Sequence, residues 1–162
     1  MNWEAMGSIA ELVGAVGVIA SLVYWAAQIR HNTRSLRAAT YESLARATAE
    51  SNILLISHPE IANVVESGLG DFPLDGDARA RFIAYLRMTF RRYDSIFLHY
   101  RQGTLPPEAW EAYWNSFRKI LRKNNVREFW ERNMDDYMPE FCDLVNREIN
   151  NSIGVGKLPA RS

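Results

Sequence analysis

Residues 9–30, IAELVGAVGVIASLVYWAAQIR, decide how this chain is read. Sixteen consecutive positions, Leu12 to Ala27, carry no charge, and Arg30, Arg34 and Arg37 follow directly. Trp3 stands before the segment, and Tyr24 and Trp25 stand at its close. Apolar length, a basic flank and aromatic ends are the features of a helix that crosses a bilayer once, with Trp and Tyr at headgroup level. Trp3 to Trp25 would span about 33 Å at a helical rise of about 1.5 Å per residue, which matches the hydrocarbon core.

Every Lys and Arg of the chain follows residue 29, and the first 29 residues carry only Glu4 and Glu11. The positive-inside rule therefore places the short acidic N-terminus outside and the rest in the cytoplasm of a bacterial inner membrane. A cleaved signal peptide would carry its basic residues before the apolar run, the reverse of the order here. A buried helix of a soluble protein is the stronger competitor. Glu11 interrupts the run, and the seven Leu, Ile and Val between Leu12 and Val23 supply roughly −3 kcal/mol of insertion free energy, which a mid-membrane Glu would largely cancel. The charge asymmetry favours the span. A single cysteine, Cys142, excludes an intramolecular disulfide and suits a reducing compartment.

Gly7, Ala10, Gly14, Gly17 and Ser21 recur at spacings of three and four, so on a helix they make one stripe of small side chains. In lipid no hydrophobic force drives helices together, and small residues are what let two backbones approach closely. The stripe predicts a helix–helix interface, with self-association as the expected outcome. Glu11 lies off it, nearer Val18 and Trp25. An acid at membrane depth either faces a polar lumen, pairs with a cation on a partner, or snorkels to the outer headgroups. Arg30, Arg34 and Arg37 would meet anionic lipid headgroups, each contact worth about 1 kcal/mol.

From Gln28 to Ile56 there is neither Pro nor Gly, so either one long helix from about Ser8 to Ile56 or a membrane helix with a slight break near Asn32-Thr33 is expected. Ser57 and Glu60 around Pro59 resemble a capping box for a short second helix stopped by Gly68 and Gly70. Phe82, Leu86, Phe90, Tyr93, Phe97 and Tyr100 then share one face of a long helix, ended by Gly103. Pro107 opens a helix with Trp110, Trp114 and Phe117; Asn124-Asn125 interrupt; Val126, Phe129 and Trp130 form a short helix; Pro139 begins the last. The expected fold class is all-α: a single N-terminal transmembrane helix (1–29), a juxtamembrane helical extension (30–57), a small cytoplasmic helical bundle with an aromatic core (58–150) and a flexible tail (151–162).

No catalytic constellation is legible. His31, His58 and His99 have no metal-ligand spacing with one another or with Cys142, no glycine-rich phosphate loop occurs, and Asp135-Asp136 point apart as neighbours do. The arginines Arg81, Arg87, Arg91, Arg92 and Arg101 are matched by acids, which predicts salt bridges and a solvated face in place of a nucleic-acid surface. The reading is of a non-enzyme with no cofactor and no metal, partnered by membrane lipid and by further copies of itself or a membrane complex.

The string WEAMGSIAELVGAVGVIASLVYWAAQIRHNTRSLRAATYES resembles a family of small uncharacterised bacterial membrane proteins that open with a similar Trp-Glu-Ala, a Glu in the apolar run and a Gln-Ile-Arg-x-Asn-Thr exit. The stretches HPEIANVVESGL, RRYDSIFLHYRQGTLPPEAW and FWERNMDDYMPEFCDLV look like its C-terminal half. The resemblance implies location and architecture and carries no catalytic residues. Two function classes follow: a membrane-anchored, self-associating scaffold or accessory subunit, and an ion-conducting homo-oligomer with Glu4 and Glu11 as acidic rings at its mouth.

Overall fold

The structure is a computed structural model; it describes the backbone of residues 3–155 and the side chains of Glu11 and residues 14–152. The described chain is all-α: α1 Trp3–Ser57, α2 Pro59–Leu69, α3 Gly76–Arg101, α4 Pro107–Leu121, α5 Asn124–Asn133, a 3-10 turn Met134–Asp136, and α6 Pro139–Val155. It divides into two compact units between Ala39 and Thr40, a boundary inside α1. The bundle unit therefore starts about one turn before the midpoint of the expected extension, and Leu44 belongs to its core. No Gly or Pro marks that boundary, because the helix does not break there.

Pro59 sets the end of α1. A residue before proline is driven out of the α region, and His58 has φ −130° and ψ 80°. The expected capping box does not form: Ser57 is the last residue of α1, His58 is the N-cap without a side-chain cap, and Glu60 Oε1 lies 3.2 Å from His58 Nδ1. Pro59 occupies the first turn, where its missing N–H is not needed.

The α2–α3 connection is held by α5. Asp71 adopts a left-handed φ of 59° and its Oδ1 accepts the Asn125 backbone N–H at 2.9 Å. Asn125 Nδ2 donates to the carbonyls of Gly68 (3.0 Å) and Phe72 (3.3 Å). Asn124 and Asn125 thus begin α5, and Asn125 clamps a distant turn, where their composition suggested only an interruption. At Gly68 the α2 backbone lies so close to α3 that an added Cβ would sit 2.4–2.6 Å from the Phe82 ring, so the absence of a side chain sets this helix spacing. Asp75 caps α3 by accepting the Ala78 N–H at 3.2 Å, and Gly103, with φ 70°, ends that helix as expected.

The core is aromatic. Phe82, Leu86, Phe90, Tyr93 and Phe97 fall on one face of α3 and are buried, as their spacing predicts; Tyr100 lies half-buried at the edge. Phe90 stands at the centre, with ring centroids 5.0 Å from Phe117, 5.1 Å from Trp130, 5.3 Å from Phe129 and 5.8 Å from Tyr137. Aromatic pairs at such distances add about 0.5–1.5 kcal/mol each beyond area burial. Trp130 also satisfies its indole N–H, donating to Asn146 Oδ1 at 2.8 Å. The helix α6 closes the core with Phe141 and Val145 and runs on to Val155, so residues 151–155, expected in the tail, are helical. Ser152 Oγ donates to the Ile149 carbonyl and accepts from Arg127 Nη2. The remainder of the expected tail, 156–162, lies outside the described residues.

Candidate functional site

Glu11 and every residue from Gly14 to Ala39 are exposed. These include Val16, Val18, Ile19, Leu22, Val23, Trp25 and Ile29, at 59–68 % exposure. These large side chains cover about half of the helix circumference and all stay exposed, whereas the apolar stripe of an ordinary surface helix is buried against a core. Among the described residues, no helix is long and apolar enough to cross a membrane.

The small residues form a shallow notch along one side of α1. Gly14, Gly17 and Ser21 make its floor, and Val18, Leu22 and Trp25 line it. A Cβ added at Gly14 or Gly17 would meet nothing within 4 Å. Ser21 Oγ donates to the Gly17 carbonyl at 2.9 Å, which turns the hydroxyl inward and leaves a smooth face. Trp3, Gly7 and Ala10, predicted for the interface and its aromatic end, have side chains outside the described residues. Tyr24 and Trp25 are exposed, as are Arg30 and Arg34, one turn apart after the apolar run; Arg37 is exposed as well.

The bundle offers chemistry of a different kind. Of Arg81, Arg87, Arg91, Arg92 and Arg101, three have the expected acid partner: Arg81 Nε lies 3.0 Å from Asp77 Oδ2, Arg101 Nη1 lies 2.6 Å from Glu140 Oε1, and Arg91 Nη1 lies 3.9 Å from Asp94 Oδ2, while Arg92 lies over the Tyr93 ring at 5.5 Å. Asp94 is buried, and desolvation pushes its carboxyl up from the ordinary carboxylate range, against the backbone amide of Met138 and the Arg91 guanidinium, which favour the charge. Arg91 also lies over the Tyr137 ring at 4.9 Å, and burial raises that phenol. Asp94 Oδ1 and Tyr137 Oη are buried without a hydrogen-bond partner. The Cys142 thiol is pushed up by burial and then by the carboxylates of Asp94, Asp135 and Asp143, the opposite of what a reactive thiolate needs. His99 pairs with Thr104 Oγ1 at 3.1 Å, not with Asp94. Among the described residues no group of three or more His, Cys, Asp and Glu is arranged to hold a metal ion.

Sequence reasoning missed two concavities in the bundle. One is almost wholly apolar, between Leu54 and Leu55 of α1, Ile61 of α2 and Tyr85 and Met88 of α3. The other joins α3 to α5 beside Arg79, Glu128 and Arg132. Their walls come from segments far apart in sequence, so no local spacing announces them. No protein-family model, curated protein or solved structure matches the chain.

Proposed function

We propose that the protein is a single-pass, membrane-anchored helical module that self-associates through the Gly14–Gly17–Ser21 face of α1 and so serves as a scaffold or accessory subunit of a membrane complex. One observation carries the proposal: an unbroken helical stretch from Gly14 to Ala39 in which every residue is exposed, including the large apolar side chains between Val16 and Ile29. Apolar patches of this extent on soluble proteins are covered by a partner or a membrane. With Gln28 and Ile29 the uncharged run extends from Leu12 to eighteen residues, at the short end of what spans a bilayer, about 17–25 residues, and the Trp residues extend its interfacial reach. Arg30, Arg34 and Arg37 would then lie at the cytoplasmic headgroups, and Glu11 near the outer ones. The bacterial membrane family that the N-terminal string resembles is of the same kind.

Two measurements test it. For orientation, Ser116→Cys is introduced into a Cys142→Ser background; Ser116 is exposed on α4. An impermeant thiol reagent should label it only after cells are opened. Labelling in intact cells would reverse the proposed topology. For association, Gly14→Leu and Gly17→Leu should each lower particle mass in mild detergent, because a bulky side chain holds packed backbones apart. A Cβ added at either position meets nothing within 4 Å, so the loss would report the interface and not a clash within the monomer. Unchanged mass in both variants removes this face from the contact.

A further inference from the structure

The concavity between α3 and α5 has the make-up of a small-molecule site. Leu74, Phe82, Ile83, Leu86 and Phe129 form its apolar wall, and Arg79, Glu128 and Arg132 stand on its lining. Its volume is about 200 Å³. Sites for drug-sized ligands run to about 300–1,000 Å³, so the occupant here is smaller, on the order of ten non-hydrogen atoms. The polar side is organised: Arg79 Nη2 and Arg132 Nη2 both donate to one oxygen, Glu128 Oε1, at 3.2 and 2.6 Å. Two guanidiniums against one carboxylate leave one positive charge in excess. Each guanidinium has five N–H donors in a planar fork, so one bond to Glu128 leaves donors on both for a second acceptor. Asn125, which also lines the cavity, is fixed by its bonds to Gly68 and Phe72, so that wall is rigid before any ligand arrives.

We propose that this cavity binds a small organic acid with an apolar, ring-sized body: the body lies against Leu74, Ile83 and the rims of Phe82 and Phe129, and the carboxylate is held by Arg79 and Arg132. The apolar wall rejects inorganic anions, which gain nothing from it. The guanidinium pair favours the acid over neutral isosteres, which forgo the charge-assisted hydrogen bonds.

The full chain in nanodiscs is titrated with 4-fluorophenylacetate and followed by fluorine NMR, with empty nanodiscs as the control for lipid partition. Wild type should bind the probe above the empty-disc signal, and Arg79→Gln/Arg132→Gln should weaken binding at least tenfold. Arg79 is 49 % and Arg132 65 % exposed, and ion pairs so exposed contribute little to folding, so the variant should retain the helicity of wild type. The neutral 4-fluorophenylacetamide should bind at least tenfold more weakly, and 10 mM inorganic phosphate should not displace the acid. Binding no greater than to empty discs, equal binding by the double variant, equal binding of the amide, or displacement by phosphate would each overturn the proposal.

Discussion

Phe90→Ala is expected to destabilise the bundle by about 3–5 kcal/mol, the usual cost of emptying a phenylalanine site in a packed core. The ring is fully buried and meets four other rings within 6 Å, contributed by α4, α5 and the connection to α6. Its loss therefore loosens the packing of α4, α5 and the connection to α6 on α3, and collapse of one neighbour into the space pulls it from another. Domains of this size are stable by about 5–15 kcal/mol in total. The expected readout is a fall in melting temperature of about 12–30 °C, followed through the near-UV signal of Trp110, Trp114 and Trp130, which are buried in the same cluster. Met88→Ala, on the same helix but 43 % exposed, should change stability by no more than about 0.5 kcal/mol. A fall of less than about 5 °C for Phe90→Ala would mean that the ring cluster does not carry the core.

Ile19→Lys should release the protein from the membrane. Ile19 is near the middle of the uncharged run and does not line the notch, so the change leaves the proposed helix contact intact. An isoleucine contributes about −0.5 kcal/mol at the centre of a span and a lysine costs about 2.5–3.5, a swing of roughly 3–4 kcal/mol. The whole run supplies only about 3 kcal/mol by the same scale, so one substitution is enough to reverse the balance. In a flotation gradient, which separates membrane-bound from aggregated protein, wild type and Ile19→Ala should float with lipid and Ile19→Lys should not. Equal flotation of the lysine variant would argue against a membrane-buried position for this part of α1.

The parts of the fold that were legible in sequence are those set by local chemistry. The α3 face from Phe82 to Phe97 follows from three-four spacing, and the helix ends at Pro59, Gly103 and Pro107 follow from what those residues allow. What could not be read depends on residues distant in sequence. Asn125 is committed to a turn more than fifty residues earlier, so its pairing with Asp71 and Gly68 leaves no local trace. Glu60 satisfies the capping-box pattern by spacing, yet its carboxylate turns to His58, because Pro59 has moved the helix start by one residue. The notch on α1 was visible because small residues at fixed spacing need no partner segment to form it. The cavity beside Arg79 was not, since only the Glu128–Arg132 pair, one turn apart on α5, hints at it locally.

The position of Phe141 has a consequence for synthesis. Its ring packs against Phe97, Phe117, Trp130 and Tyr137, so the cluster stays open on one side until α6 arrives. Phe141 leaves the ribosome more than a hundred residues after Ile29. At about 5–20 residues per second, that is a delay on the order of ten seconds. Under the proposed topology the apolar segment meets the translocation machinery long before a folded bundle could obstruct it. The same interval leaves half-made aromatic surface open to misassociation, so the period in which the nascent chain most needs a chaperone begins after targeting and ends with α6.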